Sequence, residues 1–148
     1  MPTTPTATNH ETVISEALKS LLESAPFALT VVGATGETPV RSALQRSAHY
    51  WVRMGAHQPL AEDTSRHLFT IPVQVSLSFA TARSLATQLA AQQIAGRVMN
   101  RVINLASTLT GAYHRGRVEY IESVVTESVD EYLVVQTYEF YCASKWGA

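Results

Sequence analysis

Gly33 and Gly36, in the run VVGATGETPV (residues 31–40), are the residues whose types and spacing come nearest to a nucleotide site. A dinucleotide fingerprint uses one glycine for a tight turn, a second to admit the pyrophosphate and a third for close helix–strand packing. Gly33 and Gly36 fit the first two places, but Pro39 fills the third with a bulky ring. No clean strand–helix–strand unit follows. Gly36 also leads into Glu37-Thr38, where a phosphate loop needs Lys-Ser or Lys-Thr. The run therefore reads as a glycine-bearing turn, and no cofactor is expected.

The other reactive side chains do not converge. The five histidines are His10, His49, His57, His67 and His114, and none has a second ligand type at a spacing that places both on one helix face. His57 and His67 bracket a loop carrying Glu62 and Asp63, where a loop metal site is conceivable; a solvated polar loop is the simpler reading. No Ser, His and acid combination resembles a nucleophile elbow. Glu119, Glu122, Glu127, Asp130 and Glu131 crowd into one short stretch. Paired carboxylates can do acid–base work, but in a hairpin they read first as a solvated face. Cys142, the single cysteine, permits no internal disulfide and no cysteine-based zinc site, and its place in an alternating apolar strand makes it a core residue. The chain is read as a non-enzyme, without catalytic, cofactor or metal residues.

Charge is segregated along the sequence. From Thr64 to Val118 there is no acid but there are six arginines, Arg66, Arg83, Arg97, Arg101, Arg115 and Arg117. From Glu119 to Glu139 there are six acids and no lysine or arginine. A helix face normally mixes both signs. The two blocks either neutralise each other within one chain or meet across a boundary between copies in a closed oligomer; the sequence leaves both open. In the second case Arg97 and Arg101 face Glu119, Glu122, Asp130 and Glu131 of a neighbour.

The elements that must position these groups follow from periodicity. Thr8 and Glu11 have capping-box spacing, and Val13, Ile14, Ala17, Leu18, Leu21 and Leu22 form one helical face that ends near Ser24, before Pro26. Phe27–Val32 reads as a short strand, Thr38-Pro39 as the possible opening of a short helix, His49–Met54 as a strand and residues 55–67 as a loop. Phe69, Ile71, Val73, Val75, Leu77 and Phe79 alternate with polar residues and Pro72 in a clear strand. Pro72 cannot donate a ladder hydrogen bond, so this is an edge strand or has a partner on one side only at that point. A helix from about Thr81 to Leu109 follows, with Leu85, Leu89, Val98, Val102, Leu105 and Leu109 as its buried stripe and Gly96 as a bend or a close contact. Strands at about Arg117–Thr126 and Glu131–Cys142, turning near Ser128–Asp130, make a long hairpin. The fold class is α+β: a mostly antiparallel sheet of four to five strands with helices packed on one face. Residues 1–9 read as a flexible arm and residues 10–148 as a single domain.

Composition bounds the function classes. The chain has 148 residues, 46% of them hydrophobic, enough for a core of its own. A net charge of −1 argues against general binding to nucleic-acid phosphates. No apolar stretch approaches the roughly 18 residues a membrane span needs. The start MPTTPTATN lacks the features of a signal peptide, which favours a soluble intracellular site of synthesis.

The order and length of these elements resemble those of the tail terminator proteins of long-tailed bacteriophages, over about residues 10–142. The carriers are the amphipathic helix ETVISEALKSLLES, the strand HYWVRMG with its polar loop, the strand LFTIPVQVSLSF, the long helix from Thr81, and the hairpin RVEYIESVVTESVDEYLVVQTYEFYC. The resemblance implies a virion structural protein of the tail neck. It implies a homo-oligomeric ring, usually of six, that ends growth of the tail tube and offers a surface to a head-completion or connector protein. DNA passes through such a ring without specific binding. Glu62 and Asp63, or the hairpin acids, are then candidates for the lumen or for the tube-facing loop. Two alternatives remain beside it. One is another head–tail joining protein. The other is a small-molecule-binding or enzymatic α+β domain that uses a cavity between helices and sheet, with Tyr50, Tyr138 and the histidines as polar handles.

Overall fold

A computed structural model describes residues 10–24, 27, 29–31, 48–60, 66–80, 85–105, 110–111, 114–129 and 131–145. Among these residues two helices, α1 (His10–Glu23) and α2 (Leu85–Asn104), accompany seven strands. These are β1 (Thr30–Val31), β2 (His49–Met54), β3 (Gln58–Pro59), β4 (Arg66–Ala80), β5 (Thr110–Gly111), β6 (His114–Glu127) and β7 (Glu131–Lys145). The chain is an α+β fold whose sheet runs β1-β2-β4-β7-β6-β5, with β3 paired to β4 beside β2. Every pairing is antiparallel except the short β1–β2 contact. Gly33, Gly36 and Thr38-Pro39 lie outside the described residues.

The alternation of β4 and β7 builds the core. Ile71, Val73, Val75 and Leu77 on β4 and Tyr138, Phe140 and Cys142 on β7 all lie on one face and are at most 1% exposed. Against them pack Ile14, Leu18 and Leu22 of α1 and Ala91, Ala95, Val98 and Val102 of α2. Both helices therefore cover the same face of the sheet. Gln136 falls on this buried face too. It is satisfied there, donating to the Ala95 carbonyl (2.8 Å) and accepting from the Tyr138 hydroxyl (2.7 Å), as a buried amide must be.

Pro72 lies in the centre of the sheet, so the edge-strand alternative is overturned. β2 ends opposite Val73 and β3 begins opposite Thr70, and Pro72 falls in the gap between them. The missing N–H is needed on neither side there, while β7 pairs on the other flank of β4. The chain leaves β2 through Gly55, whose N–H donates to the Pro72 carbonyl (2.8 Å). The stretch 55–67 is not all loop: β3 folds back on β4, which starts at Arg66.

The buried stripe of α2 also differs from the expected one. Val98, Val102 and Leu105 are buried, but Leu85 is 69% and Leu89 56% exposed. Ala91 and Ala95 take their place on the buried side, where the helix lies over β6 and β7. A methyl group added at Gly96 would have no neighbour within 4 Å, so this glycine marks no close contact. Leu109 lies outside the described residues.

Candidate assembly surface

The two arginines singled out by charge segregation stand on α2. Arg97 and Arg101 are both exposed, and α2 carries no acid. Arg101 borders a surface groove of about 340 Å³ between α1 and α2, with Ala17, Leu21 and Leu105 among its walls. On the far side of α2, Gln88 donates to Glu127 (2.7 Å) and Gln92 to the Tyr132 hydroxyl (2.8 Å), fixing the first half of the helix over the end of the β6–β7 hairpin.

The acids divide into used and unused groups. Glu131, at the start of β7, accepts a hydrogen bond from Ser78 (2.7 Å), whose side chain is fully buried; its carboxylate serves the fold. Glu119 accepts from the Tyr141 hydroxyl (2.8 Å) and lies 3.5 Å from the Arg117 guanidinium, which also covers the Tyr141 ring at 4.7 Å. This cluster answers a local problem, because Glu119 and Glu139 stand directly opposite each other in the β6–β7 register and like charges there repel. The Glu119 carboxylate, as hydrogen-bond acceptor, holds the Tyr141 phenol above its ordinary range. Glu122, just past a bulge in β6, is exposed. Among the described residues, neither Arg97 nor Arg101 pairs with Glu119, Glu122, Glu127 or Glu131. Asp130, Glu62 and Asp63 lie outside the described residues.

His57, at the start of the histidine loop, forms a structural clasp. His57 stacks on Phe69 with ring centroids 4.5 Å apart and an interplanar angle of 12°, and it pairs with Glu11 in the first turn of α1. His10 meets the same phenyl ring edge-on at 5.1 Å. Burial is the largest single influence and would raise the Glu11 carboxyl, but the His57 hydrogen bond, a backbone hydrogen bond and the nearby His57 and His10 together outweigh it and the group sits below its ordinary range. Among the described residues no three His, Cys, Asp or Glu side chains gather as a metal site. Nothing in the sequence announces the clasp, since its partners are 46 positions apart.

The polar handles named for a ligand cavity are committed elsewhere. Tyr50 donates to Glu23 (2.5 Å), and burial followed by that carboxylate raises its phenol. Tyr138 is fully buried and bonded to Gln136. Neither lines the groove beside Arg101 or the second one, about 460 Å³, between α1 and β2. No described helix is long and apolar enough to cross a membrane. Compared with known proteins, the chain matches no family model and no curated protein.

Proposed function

We propose that this chain is a virion structural protein, a tail terminator whose copies close into a ring on the end of the tail tube, stop its growth and present the head-joining surface. A head-to-tail ring needs two different surfaces on each subunit that fit one another. One observation carries the reading: α2 is acid-free with Arg97 and Arg101 exposed, β6 from Glu119 onward carries acids only, with Glu122 exposed, and among the described residues no ion pair joins the two. Charge left unmatched inside a subunit is available to steer association between subunits. The resemblance over residues 10–142 supports the same reading, as does the commitment of Tyr50 and Tyr138 to internal hydrogen bonds. Its partners are further copies of the chain, the tail tube protein and a head-completion or connector protein, with DNA passing through the hole.

The test is particle mass in solution by native mass spectrometry or light scattering, alone and with tail tubes, over a range of salt. A closed oligomer, usually of six copies, or a monomer that caps tube ends, is the expected result. A protein that stays monomeric at high concentration and leaves tube ends free overturns the reading.

A further inference from the structure

We infer that the turn of the β6–β7 hairpin in one copy of this chain seats Val129 in the groove between α1 and α2 of the next copy, beside Arg101. The inference deepens the ring reading and rests on it for closure of the assembly.

The tip comes first. The Ser128 N–H donates to the Glu131 carbonyl (2.8 Å) and closes the turn. Turns are normally built from Gly, Pro, Asn, Asp and Ser, whose backbones or side chains suit the reversal. Val129 offers neither, and at 70% it is the most exposed large apolar side chain among the described residues. The helix side of the tip is apolar as well. Leu85 and Leu89 lie one turn apart on α2, 69% and 56% exposed, and Gln88 beside them holds Glu127. Val125 faces that same side of the sheet, because it stands opposite the buried Val134. A projecting aliphatic side chain with exposed apolar neighbours and a polar rim is the form of a protein-docking surface.

The groove is its counterpart. It holds about 340 Å³, with Ala17, Leu21 and Leu105 as apolar wall and Ser20, Ser24 and Arg101 as polar rim. Arg101 is the one charged residue lining it, and among the described residues it pairs with no acid. The acids of α1 are occupied or face elsewhere. Glu11 holds His57, Glu23 accepts from Tyr50, and Glu16 borders the second groove.

Charge and distance select the occupant. From Glu119 to Glu131 the hairpin carries five acids and no lysine or arginine. The cations of β6, Arg115 and Arg117, stand at the other end of the strand, about 30 Å or more from the turn. Arg117 is also taken by Glu119 and the Tyr141 ring. Beside Val129, Glu127 and Glu131 accept hydrogen bonds from the neutral groups of Gln88 and Ser78, so their charge is not cancelled. An acidic tip with an apolar point thus matches an apolar groove with an arginine rim. The bond from Gln88 to Glu127 sets the tip beside the start of α2, whereas the groove lies near its end. Gln88 to Arg101 spans about 20 Å at about 1.5 Å per residue. A chain therefore does not seat its own tip in its own groove, and the occupant is a second copy. A contact between unlike surfaces of identical chains is head to tail and repeats around a ring.

The test combines two readouts on the full chain, with and without tail tubes. Val129→Ser is sized against the wild type over a range of concentration. Its midpoint of assembly should move to about tenfold higher protein concentration or beyond, the scale of one aliphatic side chain losing its burial. Its monomer melting temperature should not change. Separately, Val129→Cys and Ser20→Cys are combined in one chain, which is assembled and oxidised. The native Cys142 is fully buried and takes no part. A tip seated in the neighbouring groove gives a ladder of disulfide-linked multimers, whereas either single variant gives dimers at most. If the wild type assembles but Val129→Ser assembles equally well, or the assembled double variant gives no ladder, this contact is wrong and the ring reading survives. Val129→Ser rings that form normally but no longer cap tubes assign the tip to the tube protein and overturn the contact between copies. A wild type that never assembles, with or without tubes, overturns both readings.

Discussion

Cys142 faces the helices from the middle of the core, fully buried opposite Phe69 in the β4–β7 register. Burial pushes its thiol up to about 12. At pH 8 only about one thiol in ten thousand is then ionised, and the thiolate is the reactive form. A chromogenic disulfide reagent should therefore leave the folded protein unmodified for hours and react at once in denaturant; rapid native reaction would place the thiol at the surface. Its position was legible, because period-two alternation puts Cys142 with Tyr138 and Phe140. The clasp of Glu11 on His57 was not, since it depends on a chain reversal that no local pattern encodes. Glu11 is held below the ordinary carboxyl range, so it contributes stability above that range and loses it as the pH falls through the lowered folded value. The melting temperature of Glu11→Gln should lie slightly below that of the wild type at pH 7, and the gap should close towards pH 3. A gap that persists in acid would deny the ion pair any part in it.

At the scale of elements, two glycines of similar appearance have opposite meanings. Gly55 ends β2 with its hydrogen towards Pro72, and a methyl group there would stand 3.0 Å from the proline Cγ. A proline ring inside a paired strand has little room to give way, so Gly55→Ala should cost about 1 kcal/mol, in the range of mild overpacking. Gly96 lies inside α2 with nothing near its added methyl, so Gly96→Ala should gain about 0.5–1 kcal/mol from helix propensity. Denaturant unfolding of both variants at a concentration that keeps the chain monomeric reads the two signs; equal signs would contradict the packing around one of them. The sequence pattern offered Pro72 either as part of an edge strand or as a point with a strand partner on one side only, and the second holds. It could not say that the cause is a gap between β2 and β3, because that gap depends on how residues 55–60 fold back. The misplacement of Leu85 and Leu89 has the same origin. A helical stripe of apolar residues is visible in sequence, but Ala91 and Ala95, not the leucines, sit on the side of α2 that packs on the sheet.

At the scale of the whole molecule, the helices cover one face of the sheet, and among the described residues exposed apolar and acidic groups share the β6 side. Two forces of different salt response then act on association. Sodium chloride shortens the reach of charge from about 10 Å at 0.1 M to about 3 Å at 1 M. Sulfate screens as well but strengthens apolar burial by being excluded from the surface. If arginines of α2 meet acids of β6 across a boundary that also buries Leu85 and Leu89, sodium chloride should weaken assembly and ammonium sulfate at equal ionic strength should weaken it less or restore it. Arg101→Glu should shift the midpoint of assembly to higher protein concentration by about tenfold, in the range of a close interfacial charge pair. Glu122→Arg in the same chain should return part of that loss, because the exchanged charges again have opposite partners. Sedimentation velocity across both salts separates the cases. A single response to ionic strength, the same in chloride and sulfate, would leave the leucines outside the boundary. An Arg101→Glu variant that assembles like the wild type at low salt would remove the arginine–carboxylate contact from the interface.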